Sequence, residues 1–210
     1  MTFCRTLKLA VVLILVVFSV TPVSAADSIR RSRYMGTAIF SMPTGYVRSA
    51  TNYINDDSHS AFMLSQAMFG ELVELSILRH LNGEFKGKNP MSVKIKLLEE
   101  GEMLPSIVYG ASDFTKAIGS KLFYFAASKS IETFGVHLHG GFYKEPVTTD
   151  RKFFYGVEKM VFPLVTLSAE RTDEVNTFGV KLSPYPGVSL ELGQRDAKEE
   201  IYNINYFRSF

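Results

Sequence analysis

The stretch Phe-Gly-Val-His-Leu-His-Gly-Gly-Phe, residues 134–142, decides which fold this sequence predicts. Its apolar side chains lie on one parity, and Gly135, His137, His139 and Gly141 lie on the other. A period of two is the period of a β-strand, so this segment predicts a strand with one apolar face and one polar or small face. The His-x-His pair lies on the polar face, where it is either a pair of metal ligands or part of a polar lining. The sheet around it decides between the two.

The same alternation continues along the chain from Tyr34 onward, in segments of about eight to twelve residues separated by Gly, Pro, Asn and Asp. About 13 segments are candidates for strands. They begin near Met35, Tyr46, Ser60, Leu72, Ser92, Leu104, Lys121, Phe134, Phe153, Leu164, Asn176, Val188 and Ile201. Residues 61–81 also fit the apolar stripe of a helix, but Gly70 in their middle favours a hairpin.

This pattern predicts an all-β fold, an antiparallel transmembrane β-barrel of about 12 strands. A soluble β-sandwich also alternates, and it stays open as an alternative. The barrel is favoured by repeated hairpins without intervening helices and by polar faces rich in Gly, Ser and charge. The last strand carries Tyr202, Ile204, Tyr206 and Phe210 on one parity, as the closing strands of outer-membrane barrels do.

The N-terminus predicts export. Arg5 and Lys8 precede an apolar run of 12 residues that ends at Val20, and small residues follow it. This is the pattern of a cleaved signal peptide, here residues 1–25, and the run is shorter than the roughly 20 residues of a membrane-spanning helix. We expect a flexible segment at 26–33, a barrel domain at 34–210 and a location in the outer membrane.

Composition excludes several classes of function. Without residues 1–25, the chain has 21 basic and 21 acidic residues, so it lacks the excess of cations that nucleic-acid binding requires. Its one cysteine, Cys4, lies in the predicted signal peptide. The mature chain therefore offers no disulfide, catalytic thiolate or Cys-ligated zinc.

Several motifs occur in the order and spacing of a known family. Lys94-Ile-Lys-Leu-Leu-Glu-Glu100 is followed by Leu104-Pro-x-Ile-x-x-Gly-x-x-Asp-Phe114, and then by Phe123-x-Phe-x-Ala-Ser-Lys129 and Phe134-Gly-Val-x-Leu-x-Gly140. Gly36-Thr-Ala-Ile-Phe-Ser-Met-Pro-Thr44 lies upstream. Together they resemble the YjbH family of bacterial outer-membrane β-barrels, from about Gly36 to the C-terminus. The resemblance implies a barrel associated with exopolysaccharide production or export, and it implies no catalytic residue.

Charged and imidazole side chains on the polar faces are the candidate binding residues of such a barrel. They are Lys94, Lys96, His137, His139, Glu158, Lys181, Glu191 and Arg195. The structural interpretation is that opposite charges pair inside the barrel. The functional interpretation is that an anionic polysaccharide contacts them. No spacing supplies a third ligand for His137 and His139, so we expect no metal and no cofactor.

The expected partners are outer-membrane lipid and exopolysaccharide or its export proteins. The predicted function is non-enzymatic, either a scaffold or a narrow pore. Two alternatives remain: a secreted soluble β-sandwich or barrel that binds a ligand, and an outer-membrane enzyme that modifies lipids. The enzyme would draw on Ser128, Ser168, His137 and Glu170, but the chain contains no Gly-x-Ser-x-Gly elbow.

Overall fold

The protein is a closed antiparallel barrel of twelve strands, seen in a computed structural model that describes residues 40, 42–57, 59–119, 121–144, 151–172 and 175–208. The predicted signal peptide, the segment 26–33 and Phe210 lie outside the described residues. The strands are β1 (Ser49–Asp56), β2 (Ser60–Met68), β3 (Val73–His80), β4 (Met91–Leu98), β5 (Ser106–Ser112), β6 (Leu122–Ile131), β7 (Val136–Lys144), β8 (Lys152–Phe162), β9 (Val165–Thr172), β10 (Val175–Tyr185), β11 (Val188–Arg195) and β12 (Glu199–Arg208).

Each strand pairs with its neighbours in the sequence, and β1 pairs with β12 to close the sheet. A closed sheet has no free edge, so every strand has a partner on both sides. The prediction of an antiparallel barrel of about 12 strands is thus confirmed, and the sandwich alternative is wrong. Residues 61–81 form the β2–β3 hairpin rather than a helix, with Gly70 at φ +67° in the turn. No helix in the described part of the chain is long and apolar enough to cross a membrane.

The two ends of the barrel differ. β1 begins and β12 ends at the same end, together with the connections 69–72, 99–105, 132–135, 163–164 and 186–187. We call this the turn end, since two of its connections have only two residues. One of these is Pro186-Gly187, where Gly187 adopts the positive φ, +80°, that such a turn requires. The opposite end, the loop end, carries the longer connections 81–90 and 113–121.

The wall follows the predicted parity. Along β12, Tyr202, Ile204 and Tyr206 are exposed on the outside, whereas Asn203 and Asn205 are buried inside. The inward face also carries large apolar side chains, which the polar-or-small expectation for that face did not include. Tyr124 and Phe154, for example, are buried to about 1% exposure.

The first predicted strand, which begins near Met35, is corrected by the structure. In its described part, Phe40 and residues 42–48 form no wall strand but lie inside the barrel, and we call them the lumen segment. Phe40, Met42 and Val47 pack in one buried cluster with seven inward side chains of the wall. The wall members are Val108, Leu122, Tyr124, Ala126, Tyr143, Phe154 and Ile201. The barrel therefore contains an apolar core of its own.

Candidate functional site

The lumen and the segment that fills it form the candidate functional site. The segment bends at Phe40, Met42 and Gly45 and belongs to no strand of the wall, so most of its backbone groups need partners other than neighbouring strands. Inward side chains of the wall supply them. Glu170 of β9 accepts the N–H groups of Phe40 and Met42 through Oε2, at 3.2 and 3.3 Å.

Gly45, farther along the lumen segment, is held by one serine of β5 and one of β6. The N–H of Gly45 donates to Ser128 Oγ at 2.7 Å, and Ser106 Oγ donates to the carbonyl of Gly45 at 2.6 Å. A Cβ at Gly45 would lie 2.6 Å from the Ser128 nitrogen, so only glycine fits between β5 and β6.

A buried ion pair holds the end of the segment next to β1. Lys94 Nζ lies 3.3 Å from Glu74 Oε2 and donates to the carbonyl of Tyr46 at 3.0 Å. The same Glu74 oxygen accepts the N–H of Arg48 at 3.2 Å. Lys94 and Glu74 are directly opposite in the β3–β4 register, so they form a cross-strand pair that also binds the segment.

Glycines on the inward face make room for the segment's side chains. A Cβ at Gly179 or Gly193 would overlap the ring of Phe40, and a Cβ at Gly156 would lie 2.7 Å from Met42 Cε. These three glycines lie on one side of the wall, one in β8 and two in the neighbouring strands β10 and β11. Glycine inside a strand often marks such a close approach.

At the turn end, Glu100 anchors the segment through Tyr46. Glu100 accepts hydrogen bonds from the Tyr46 hydroxyl at 2.9 Å and from the Ser130 N–H at 2.6 Å, and Lys129 Nζ lies 3.3 Å away. Burial alone would raise the pKa of Glu100, but these donors hold that pKa below its ordinary value. Burial, followed by the bond to Glu100, raises the pKa of Tyr46, which therefore stays protonated and donates.

A chain of polar contacts continues from the segment around the wall. Ser128 Oγ lies 2.6 Å from His139 Nδ1, and His139 Nε2 lies in ion-pair range of Glu158 Oε2, at 3.4 Å, without forming a hydrogen bond. Glu158 Oε1 bonds Lys181 Nζ at 2.6 Å, and Lys181 lies 3.5 Å from Glu191. The chain therefore links strands β6, β7, β8, β10 and β11.

The predicted site residues all lie on the inward parity, but they do not form one cluster. Lys94 binds the lumen segment, and His139, Glu158, Lys181 and Glu191 belong to the polar chain. Lys96 and Arg195 lie apart from it: Lys96 lies 3.7 Å from the exposed Glu99, and Arg195 bonds Glu199 at 2.8 Å near the loop end. His137 borders the polar chain, since it lies directly opposite Glu158 in the β7–β8 register. Opposite charges pair mainly between nearby strands of the wall.

Sequence reasoning missed the residues that hold the segment. Glu74, Ser106 and the three glycines were not predicted as site residues, and Glu170 was considered only for catalysis. The available signal was the inward parity of Gly156, Gly179 and Gly193, where a wall facing open water would have no need of glycine.

The serine, histidine and carboxylate groups considered for catalysis are occupied elsewhere. Ser168 donates to the carbonyl of Gly179, and Glu170 binds the lumen segment. Ser128 has a histidine and a carboxylate in line with it, but it is only 1% exposed and its oxygen already accepts the Gly45 N–H. Among the described residues, no three His, Cys, Asp or Glu side chains converge as metal ligands.

An open cleft of about 430 Å³ lies at the turn end beside the segment. It is lined by Arg48 and Lys181 on one side and by apolar residues of β10, β11 and the neighbouring turns, among them Tyr185, on the other. The guanidinium of Arg48 stacks over the ring of Tyr46, with its carbon 4.7 Å from the ring centroid. Arg48, the last residue of the lumen segment, is therefore accessible from the turn end.

Known structures with a similar fold are porins. The KdgM porin in complex with disordered oligogalacturonate has a TM-score of 0.52 and 10% sequence identity, over 78% of this chain and 99% of that one. The NanC porin has a TM-score of 0.51 and 9% identity, over 77% and 100% of the two chains. At this identity the likeness shows the fold alone. No family model matches the sequence, and no curated protein matches it.

Proposed function

We propose that this chain is an outer-membrane β-barrel with an accessory, non-enzymatic role in exopolysaccharide production or export. The observation that carries the membrane location is the outer surface. Eleven of the twelve strands expose at least one large apolar side chain on it, for example Phe62 of β2, Leu192 of β11 and Ile204 of β12. Such a continuous apolar surface is rare on soluble proteins, and it is what the lipid-facing band of an outer-membrane barrel requires.

The filled lumen favours a scaffold over an open pore in the resting protein. The lumen segment occupies space that a porin leaves to water. It is fixed by N–H groups that donate to Glu170, Ser128 and Glu74, and by Lys94, which donates to one of its carbonyls. A solute therefore has no wide path through the barrel while the segment is in place.

Two observations support a role that involves a polysaccharide. The motifs between Lys94 and Gly140 resemble the YjbH family, which is associated with exopolysaccharide. The KdgM porin, which has a similar fold, was solved in complex with oligogalacturonate, an acidic sugar oligomer. In the present chain, Arg48 at the turn end offers positive charge to such a polymer, whereas the charge of Lys181 is paired with Glu158 and Glu191.

The competing functions have less support. A soluble barrel would have to expose its apolar belt to water. A lipid-modifying enzyme is favoured only by the alignment of Ser128, His139 and Glu158. If that alignment were catalytic, Ser128→Ala would abolish lipid modification in purified protein without removing the protein from the membrane.

Fractionation tests the location. The tagged protein is expected in the outer-membrane fraction, to need detergent for extraction, and to migrate faster on a gel when unheated than when boiled. A soluble protein without a heat-dependent shift would refute the membrane location. The role is tested by deleting the gene and measuring secreted polysaccharide. We expect reduced polymer output, restored by the intact gene, and unchanged output would refute the exopolysaccharide role alone.

A further inference from the structure

The geometry points to a second property of the lumen: we infer that the wall is a binding site for a peptide, that the lumen segment is its tethered occupant, and that release of the segment toward the turn end opens a pore. This inference rests on the proposed outer-membrane location, since a pore has a function only in a membrane. It adds a ligand class, a peptide, and a conducting state to the scaffold.

The wall is complete without the segment. All twelve strand pairings, including β1 with β12, are made between wall strands. The lumen segment supplies none of them, although it is covalently continuous with β1 at Ser49. Its departure therefore leaves the barrel closed as a sheet and removes the side chains of the segment from the interior.

The contacts are those of a peptide-binding site. Side chains from several separate strands bond the backbone of the segment, through Glu170, Ser106, Ser128, Lys94 and Glu74. Bonds to backbone groups do not depend on the sequence of the peptide, whereas the pockets for its side chains select that sequence.

The pockets are specific for two bulky apolar residues spaced two apart. Phe40 fits against Gly179 and Gly193, and Met42 fits against Gly156. The wall therefore determines the ligand class and the sequence preference, a peptide segment that carries an aromatic residue and, two residues later, a flexible apolar one.

The turn end provides the route of release. The segment is tethered at Ser49 on that side, and the cleft of about 430 Å³ beside Arg48 opens there. The charged wall groups that remain, such as Glu170, Glu74 and Lys94, are of the kind that water solvates in the polar lumen of a porin.

Thiol labelling tests whether the segment is buried and whether it can leave. Cys4 is the only cysteine of the chain, so a Cys4→Ser background is free of thiols. In the full chain in lipid vesicles, we expect Met42→Cys to be protected from a charged maleimide because Met42 is fully buried. Met103→Cys is the matched control and should be labelled rapidly, since Met103 is 89% exposed in the turn 99–105.

Weakening the site should then release the segment. Glu170→Ala removes two charge-assisted hydrogen bonds to the segment, and Phe40→Ala empties the glycine pocket. We expect each change to raise the labelling rate at position 42 on the order of tenfold or more, together with the single-channel conductance in a planar bilayer. Asp113→Gly is the control, because it also removes two charge-assisted bonds from a buried carboxylate to backbone N–H groups, here those of Ala117 and Ile118 at the loop end, and glycine accepts the φ of +45° at this position. It should change neither readout.

Each contrary result identifies what has failed. Rapid labelling of Met42→Cys in the otherwise unchanged protein overturns the occupied site. If Glu170→Ala and Phe40→Ala raise the labelling rate at position 42 but do not raise the conductance, the opening of a pore is overturned. The same holds if a variant that lacks residues 40–48 still shows the heat-dependent gel shift but does not conduct. In these cases the outer-membrane proposal stands, whereas a protein absent from the membrane fraction refutes the proposed function itself.

Discussion

Glu74 and Lys94 form a buried ion pair that binds the lumen segment to the wall. Both are buried to about 1% exposure or less, and together they bind the backbone on both sides of Val47. Removing one member of a buried ion pair leaves the other charge without compensation, which is far more costly than removing both.

Lys94→Met is therefore expected to lower the free energy of unfolding by about 3–5 kcal/mol. The double variant Glu74→Gln with Lys94→Met should lose less than Lys94→Met alone, because no charge is left buried. Urea unfolding of the protein in lipid vesicles measures both. Equal stability of Lys94→Met and the unchanged protein would contradict the pairing.

Glu100 predicts a dependence on pH at the turn end. Its pKa is lowered in the folded protein, so its contribution to stability is present above the ordinary glutamate pKa of 4.5 and is lost as the pH falls through the lowered value. Above about pH 4.5, we expect the midpoint temperature of the heat-dependent gel shift to be higher for the unchanged protein than for Glu100→Gln. This difference should shrink on acidification. Glu99→Gln, at an 83% exposed side chain, should show no such difference. Parallel curves for the unchanged protein and Glu100→Gln would refute the role of Glu100.

Which residues face the lumen could be predicted at the residue scale, but their partners could not. The parity of the strands placed His139, Glu158 and Lys181 on the inward face. The bonds among them depend on register and on which strands become neighbours. Periodicity within one strand carries no information about either.

At the scale of elements, each predicted wall strand corresponds to an observed one, and the lumen segment is the exception. Phe40 and Met42 share one parity of the sequence, as in a strand, but they are buried inside the barrel, whereas the apolar side chains of the wall strands are exposed on its outside. What separates them from the wall is the identity of their neighbours: side chains of the lumen rather than a paired backbone. That difference arises only once the barrel is closed, so no local pattern could reveal it.

The outward face of β12 offers a test of the lipid-facing band. Ile204 lies between Tyr53 and Leu190 in the sheet, near the middle of its strand. Ile204→Arg should cost about 2–4 kcal/mol if that position lies at the bilayer midplane, whereas Tyr185→Arg at a strand end should cost about 0–1 kcal/mol. Unfolding in lipid vesicles measures the two. A cost at Ile204 no larger than at Tyr185 would place the band elsewhere.

At the scale of the molecule, closure depends on the last strand. β12 supplies eight residue pairs to β1 and eight to β11. A chain that ends at Arg195 would leave both neighbours with an open edge, which lipid cannot hydrogen-bond. We expect this truncated chain to show no heat-dependent gel shift and to be extracted from membranes by urea. A normal shift would show that the barrel closes without β12.

The apolar core inside the barrel also determines how the protein responds to temperature. Departure of the lumen segment exposes Phe40, Met42 and Val47 to water, and the hydration of apolar surface carries a positive change in heat capacity. The free energy that keeps the segment in place is therefore a curved function of temperature with a maximum. Cooling below that maximum weakens the binding of the segment, just as heating above it does.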